Sequence, residues 1–349
     1  MVKIPALGIE YSNSCNLKDV CKHCYGVTGT EGSGLIKLSD KVIDIIIKEA
    51  PLIAESITIT GGEPTTYPDA VNRIVSGTRL PWTLMTNGVI WRKDFHPSGV
   101  LVSLDCQDLR PGVNPVNVIN NVLKYNCNLS VNTVLSAKVD LFMLYDVLKR
   151  ANNKLQKKGK KISEWKLGFV VKKGRASYHP EIFAQWDEIF YHLKEFLKIY
   201  FREQPFPLAI RGGFFTKNIS KNDNPPKINT SRNPCLDCFH RTRYMAINAH
   251  GRVQMCGTAS NISVPIKNSL INACIKVLNS PELTKFNYKD WKQCYNCRWF
   301  RICGAGCPSL AETYNQGWMG KDLYQCEIMK RIKGILFPIL PNYIQKLFL

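Results

Sequence analysis

The chain has 349 residues, a hydrophobic fraction of 45% and a formal net charge of +20, from 47 basic and 27 acidic residues. This composition excludes a disordered chain, and the length allows one large domain or two of ordinary size. The sequence shows no secretory signal and no run near the ~18 apolar residues of a membrane span, so we expect a cytoplasmic protein.

Strand-like and helix-like segments alternate from the N-terminus to about residue 200. The predicted strands are Leu7–Ser12, Ser56–Thr60, Trp82–Thr86, Val100–Leu104, Leu129–Val134 and Trp165–Val171. The predicted helices are Asp40–Glu49, Ala70–Val75, Pro115–Lys124, Leu141–Asn152 and Glu181–Tyr200. The alternation predicts an α/β fold, a partial (β/α)6 barrel of parallel strands over residues 1–214. Functional sites on such folds lie at the carboxyl ends of the strands.

Three cysteines, Cys15, Cys21 and Cys24, lie on one loop directly after the first predicted strand. Three thiolates leave one iron of an iron–sulfur cluster open, and a ligand can bind there. A structural zinc site completed by a distant residue or by His23 is the alternative. The loop taken alone does not decide between an iron–sulfur cluster and a zinc ion.

The second predicted strand runs into the turn Gly61-Gly62-Glu63-Pro64. Glycines at a strand end allow a ligand to approach the backbone closely. Because this turn follows a three-cysteine loop and a helix, it favours the iron–sulfur interpretation over zinc.

These two segments resemble the radical S-adenosylmethionine superfamily, whose motif is usually C-x3-C-x2-C after the first strand and GGE or GGEP after the second. The first gap here is five residues, and His23 stands where an aromatic residue is usual. The resemblance implies that Cys15, Cys21 and Cys24 hold a 4Fe–4S cluster whose open iron binds S-adenosylmethionine. It also implies that the Gly61–Glu63 turn holds the methionine amino group, and that a 5′-deoxyadenosyl radical takes hydrogen from the substrate.

Polar residues at later strand ends are further predicted contacts of S-adenosylmethionine, beside Pro64 of the turn. They are Asn87, Ser103, Asp105, Asn132 and Arg175. The alternative is that these side chains only terminate their strands.

A second group of cysteines follows a polar linker at residues 215–234. The spacing is C-x12-G-x4-C from Cys238, then C-x2-C-x5-C-x3-C from Cys294, and finally an isolated Cys326. This order resembles the SPASM domain of the same superfamily, over residues 235–330. The resemblance implies two auxiliary 4Fe–4S clusters, and so three in all. The implied ligands are Cys235, Cys238, Cys256 and Cys307 for the first auxiliary cluster, and Cys294, Cys297, Cys303 and Cys326 for the second.

Paired zinc ribbons or a disulfide scaffold are the alternatives for this second group. Three further cysteines, Cys106, Cys127 and Cys274, match no motif, and we predict that they are packing residues. Cys106 follows Asp105 at a strand end, so lining the pocket is its alternative role.

Enzymes that carry this auxiliary domain mostly modify peptides or proteins, so the resemblance implies a peptide or protein substrate. A lipid or other small molecule is the alternative, suggested by the basic, apolar tail at residues 331–349. We expect that tail to dock on the body, with a membrane surface as its other destination. The net charge suits an acidic electron carrier such as a ferredoxin or flavodoxin. A zinc-dependent nucleic-acid-binding protein, suggested by the lysines between Lys154 and Lys161, would leave both of the earlier motifs unexplained.

Overall fold

The computed structural model describes residues 3–24, 34–182, 186–210, 244–257, 262–285, 287–303, 306–314, 317 and 320–346. Its described strands form one sheet in the order β10-β9-β8-β1-β2-β3-β4-β5-β6-β7. The strands are β1 Ala6–Glu10, β2 Ile57–Thr60, β3 Trp82–Thr86, β4 Gly99–Ser103, β5 Asn128–Leu135, β6 Ile162–Phe169, β7 Leu208–Ile210, β8 Tyr244–Ile247, β9 Arg252–Gln254 and β10 Ser263–Pro265.

Strands β1 to β7 are parallel neighbours in chain order. The helices that return between them are α1 Asp40–Ile53, α2 Pro68–Thr78, α3 Pro115–Val122, α4 Leu141–Gln156 and α5 Trp186–Glu203. Helix α1 contacts α2, and α4 contacts both α3 and α5. Because the connections between parallel strands are right-handed, successive helices lie on the same face of the sheet. The predicted α/β fold with a parallel sheet is confirmed. Strand β7 adds a short seventh strand that the six-strand prediction missed.

The two faces of the sheet differ in burial. Apolar side chains on the face under the helices have no solvent exposure, among them Ile9, Ile59 and Val102. We call the opposite face the inner face. Its residues are partly exposed and mostly polar, and they include Glu10, Thr58, Thr60, Thr83, Ser103, Ser130, Asn132, Glu164 and Lys166. A sheet sealed on one side and polar on the other leaves its inner face available to a ligand.

Helix α1 illustrates how the sequence builds the sealed face. Ser39 caps it by accepting a hydrogen bond from the Val42 amide, and Asp40 in the first turn suits the helix dipole. The buried residues Ile43, Ile46, Ala50 and Ile53 recur at helical spacing. Each fully buried isoleucine contributes about 1.5–3 kcal/mol to stability.

The cysteine-rich part of the chain joins this sheet directly. Strand β8 pairs with β1 in parallel, with Leu7 opposite Met245 and Ile9 opposite Ile247, and β8, β9 and β10 are successive antiparallel neighbours. Helix α6, Leu270–Leu278, packs beside α1. The remaining short helices are α7 Pro281–Thr284, α8 Lys292–Tyr295, α9 Phe300–Cys303, α10 Pro308–Thr313, α11 Leu323–Arg331 and α12 Asn342–Gln345.

The C-terminal tail packs against the body. Ile332, Leu336 and Leu340 are at most 3% exposed, and Arg331 Nε donates a 2.8 Å hydrogen bond to Asp187 at the start of α5. The expected docking is therefore observed. These three apolar side chains are buried in the core, so they do not form a surface that could face a membrane. Within the part of the chain that the structure describes, no helix has the length and apolar character needed to cross a membrane.

Candidate metal and cofactor site

The Gly61-Gly62 turn lies against the segment that leads into the cysteine loop. The amide of Gly62 donates to the carbonyl of Ser12 at 2.7 Å, and the amide of Glu63 donates to that of Ser14 at 2.8 Å. A Cβ on Gly62 would lie 1.9 Å from the Ser14 oxygen, and Gly61 has φ of +142°. Only glycine fits this close approach, so the two glycines fix the ends of β1 and β2 together.

The carboxylate of Glu63 organises the turn from inside. It is 1% exposed and accepts hydrogen bonds from the Thr65 amide and hydroxyl at 3.1 and 2.7 Å, from the Thr86 hydroxyl at 2.8 Å and from the Asn87 amide at 2.7 Å. Burial raises the pKa of Glu63, and these hydrogen bonds oppose the rise. The side chain therefore joins the end of β2 to the end of β3.

The three cysteines of the first loop lie near one another. Each of Cys15 and Cys21 interacts electrostatically with the other cysteines of the loop, including Cys24. The Leu17 amide donates to Cys15 Sγ at 3.3 Å, and the Asn87 side-chain amide lies 3.7 Å from the same sulfur. Burial raises the pKa of the Cys21 thiol to about 11, and the nearby Arg110 guanidinium lowers it. The predicted residue Asn87 thus belongs to this site.

Next to the cysteines, His23 of the loop forms a buried group with Asp105 and Arg110. Asp105 Oδ2 is 3.3 Å from His23 Nε2 and 3.0 Å from Arg110 Nη2, and Asp105 Oδ1 accepts the Val134 amide at 2.7 Å. Burial acts to raise the pKa of Asp105, but Arg110 and His23 outweigh it and hold the pKa at about 2. His23 therefore contacts a carboxylate, which was not expected. Arg110 carried no motif, and its partnership with the loop was missed.

Of the remaining predicted contacts, Arg175 touches the cysteine loop, while Ser103 and Asn132 lie on neighbouring strands. Ser103 and Asn132 lie side by side in the register of β4 and β5. The Arg175 amide donates to the Cys24 carbonyl at 2.9 Å, and its guanidinium lies 3.6 Å from Asp19 in the loop. The structure thus places Asn87 and Arg175 in contact with the cysteine loop, and the role of Ser103 and Asn132 as cofactor contacts stays a prediction.

The second cysteine group is also assembled. The thiols of Cys294, Cys297, Cys303 and Cys326 interact electrostatically as neighbours, and burial raises the pKa of Cys294 to about 11. Cys256 and Cys307 form a separate neighbouring pair, near which Lys173 reaches in from the turn after β6. Cys235 and Cys238, like the linker at residues 215–234, lie outside the described residues.

Asp322 connects the two cysteine sets and was missed by the sequence analysis. Its carboxylate accepts the Cys307 amide and the Gln325 amide, each at 2.9 Å, and so holds the start of α11 beside the turn at Gly306. Gly306 has φ of +75°, and a Cβ there would lie 2.6 Å from Asp322 Oδ2. The glycine before Cys307 is therefore the sequence signal that could have revealed this contact. Of the cysteines without a motif, Cys106 and Cys274 are buried in the core.

The donors present suit iron–sulfur clusters. Within the described residues, no three His, Cys, Asp or Glu side chains close around a point as ligands of a single metal ion. A four-iron cluster takes its thiolates on separate irons, so its ligands lie farther apart. Among the described atoms, the buried Arg110 Nε also has no hydrogen-bond partner, which leaves one donor available beside the first loop.

A carboxyl group on the inner face gives a prediction about pH. Glu10 ends β1, and burial raises its pKa from 4.5 to about 7, although the Ala249 amide opposes the rise. The folded chain therefore binds more protons than the unfolded chain between these values, and stability falls as pH rises through them. Glutamine does not ionise, so Glu10→Gln should not show this fall in the free energy of unfolding, which reaches up to about 3 kcal/mol above pH ~7.

The measurement is urea unfolding of both proteins from about pH 5 to about pH 8, with the cofactor content matched. The stability difference should grow with pH in favour of Glu10→Gln. Glu55→Gln, which removes an exposed carboxylate just before β2, is the control. A difference that stays constant over this range would contradict the prediction.

No protein-family model and no curated protein matches the sequence. Similar solved structures include hexahistidine-tagged anSMEcpe with bound AdoMet, at 17% identity and a TM-score of 0.64, covering 96% of this chain and 97% of that one. Streptococcus suis SuiB bound to S-adenosylmethionine has 16% identity and a TM-score of 0.59, and the match covers 91% of this chain and 76% of SuiB. SuiB bound to the precursor peptide SuiA has 16% identity and a TM-score of 0.60, and the match covers 92% of this chain and 75% of SuiB. At these identities the similarity shows a shared fold.

Proposed function

We propose that this chain is a radical S-adenosylmethionine enzyme that modifies a peptide or protein side chain. The observation that carries the proposal is the set of three thiols at the carboxyl end of β1, next to the Gly61-Gly62 turn at the end of β2. The sequence resemblance and the shared fold with two proteins that bind S-adenosylmethionine support it.

The chain's own residues hold and orient the cofactors. Cys15, Cys21 and Cys24 would ligate the cluster, and the backbone of the Gly61–Glu63 turn would face the methionine end of S-adenosylmethionine. Glu63 fixes that turn through its four hydrogen bonds. A cluster held here supplies the electron for reductive cleavage of S-adenosylmethionine, and the radical produced takes hydrogen from the substrate.

The inner face of the sheet would receive the substrate. It is polar and partly exposed, while the opposite face is sealed. SuiB was solved with its precursor peptide, which supports a peptide rather than a small molecule. The apolar tail that suggested a lipid substrate packs on the body through Ile332, Leu336 and Leu340, which weakens that alternative.

The test is anaerobic reconstitution followed by reduction with dithionite and chromatographic measurement of 5′-deoxyadenosine. We expect about twelve irons, four for each cluster, and cleavage of S-adenosylmethionine. A colourless zinc protein that does not cleave it would overturn the proposal. The peptide part is tested separately, by mass spectrometry of short peptides encoded beside the gene after incubation with the active enzyme. If these peptides are unchanged while another class of compound is modified, the peptide assignment is wrong.

Electron delivery should depend on salt. The net charge of +20 would fall to about +15 with three clusters bound. The enzyme would stay strongly basic, so an acidic ferredoxin or flavodoxin should be steered to it. Raising ionic strength from about 0.01 M to about 0.15 M shortens the screening length severalfold and should slow reduction by the carrier. The measurement is the initial rate of 5′-deoxyadenosine formation, with dithionite as the control reductant. Equal salt dependence with both reductants would contradict steering.

A further inference from the structure

One buried cation beside the first cysteine loop has no part in the proposed binding of cofactor or substrate. Arg110 lies on the turn after β4, and its side chain is 8% exposed. Its Nη2 contacts Asp105 Oδ2 at 3.0 Å, and its Nη1 donates to the Ser103 carbonyl at 2.9 Å. Its Nε is buried and has no partner among the described atoms. The guanidinium is thus held by two of its nitrogens, and the third is available.

The surroundings of Arg110 include thiols as well as carboxylates. Besides Asp105, it interacts electrostatically with Cys21, Cys15 and the more distant Glu63. The turn that carries Arg110 is fixed to the cysteine loop, because the Lys22 amide donates to the Leu109 carbonyl at 3.1 Å. The Asp105 carboxylate contacts both Arg110 and His23. The cation is therefore held at a fixed position close to the loop.

A fixed cation at this position matters for electron transfer. Reducing an iron–sulfur cluster adds one negative charge to it, and the interior of a protein screens charge weakly. A positive charge nearby stabilises the reduced cluster more than the oxidised one. Hydrogen bonds to the cluster sulfurs act in the same direction, and both effects raise the reduction potential.

We propose that Arg110 raises the reduction potential of the cluster held by Cys15, Cys21 and Cys24, and that Asp105 positions Arg110 and offsets part of its charge. This inference rests on the proposed function, because it requires the cluster. It assigns the pair a role in setting how readily the first electron is accepted, rather than in binding S-adenosylmethionine.

The test uses the full, reconstituted chain without S-adenosylmethionine. The midpoint potential is measured by redox titration followed by electron paramagnetic resonance, and the signal of interest is the one lost when Cys15, Cys21 and Cys24 are all replaced. Arg110→Gln removes the charge and should shift the potential to more negative values. Asp105→Asn keeps an acceptor for the Val134 amide but removes the opposing charge, and should shift the potential to more positive values. Arg73→Met, which removes an arginine paired with Asp40 and Asp44 on the surface, should not shift it.

The opposite signs separate this role from a structural one. Loosening of the loop would shift both variants in the same direction, and that result would overturn the proposal, as would unchanged potentials. Arg110→Lys retains the charge and should lie between wild type and Arg110→Gln, which provides a second variant if the first loses its cluster. Loss of this cluster from all three variants, with retention in Arg73→Met, would establish a structural role and overturn the proposal. A wild-type protein that binds no iron would instead refute the proposed function.

Discussion

Replacing Cys15, Cys21 and Cys24 together with alanine is expected to abolish cleavage of S-adenosylmethionine while leaving about eight of about twelve irons bound. The first loop would lose all of its thiolates, so no iron could bind the cofactor there. The second cysteine group lies on separate elements, from Cys256 to Cys326, and would keep its own donors. The measurements are iron content and 5′-deoxyadenosine yield after reduction.

Cys127→Ala is the matched control, since it removes a half-buried thiol just before β5 that belongs to neither group. This variant should keep all of its iron and its activity. If the triple variant still produced 5′-deoxyadenosine, the assignment of the cofactor site to the first loop would be wrong.

Glu63→Ala is expected to cost about 3–5 kcal/mol of stability, because several buried donors lose their acceptor, and to reduce cofactor cleavage ~100-fold or more. The variant leaves the amides of Thr65 and Asn87 and two hydroxyl groups without their buried acceptor. The Gly61–Glu63 turn would then lose its link to the end of β3. Thermal unfolding and the 5′-deoxyadenosine assay measure the two effects.

Graded variants show whether the hydrogen bonds cause the loss. Thr86→Val removes one donor to Glu63 and should cost about 1–2 kcal/mol. Glu203→Ala removes an exposed carboxylate that is paired with Lys149, and should have a much smaller effect on both measurements. If the Glu63→Ala variant were as stable as the wild-type protein, the carboxylate would not be what organises the turn.

Local sequence patterns predicted the parts of the molecule that depend on neighbours in the chain. The β-branched run Ile57–Thr60 followed by two glycines identified both a strand and the turn after it. Cysteine spacing identified two groups of cysteines whose described members lie near one another. Helix ends were less well predicted, because the continuation of α1 to Ile53 includes Pro51. A proline normally indicates that a helix stops.

Partnerships across the sheet could not be predicted in this way. Arg110 meets Asp105 and His23 because the turn after β4 lies beside the first loop, which depends on strand order. Nothing near Arg110 in the sequence marks it as a neighbour of Cys21. Asp322 is similar, because its role depends on a contact with Cys307 across a turn. Such contacts are selected by tertiary packing and leave no periodic pattern.

The pairing of β1 with β8 has a consequence for how the protein is made. Strand β1 leaves the ribosome more than two hundred residues before its partner Tyr244–Ile247. At roughly 5–20 residues per second, β1 waits for at least ~10 s with one edge unpaired. An open edge of this kind recruits other chains, and contacts distant in sequence form slowly. Chains truncated before residue 244 lack this partner strand altogether, so they should aggregate more readily than the full chain.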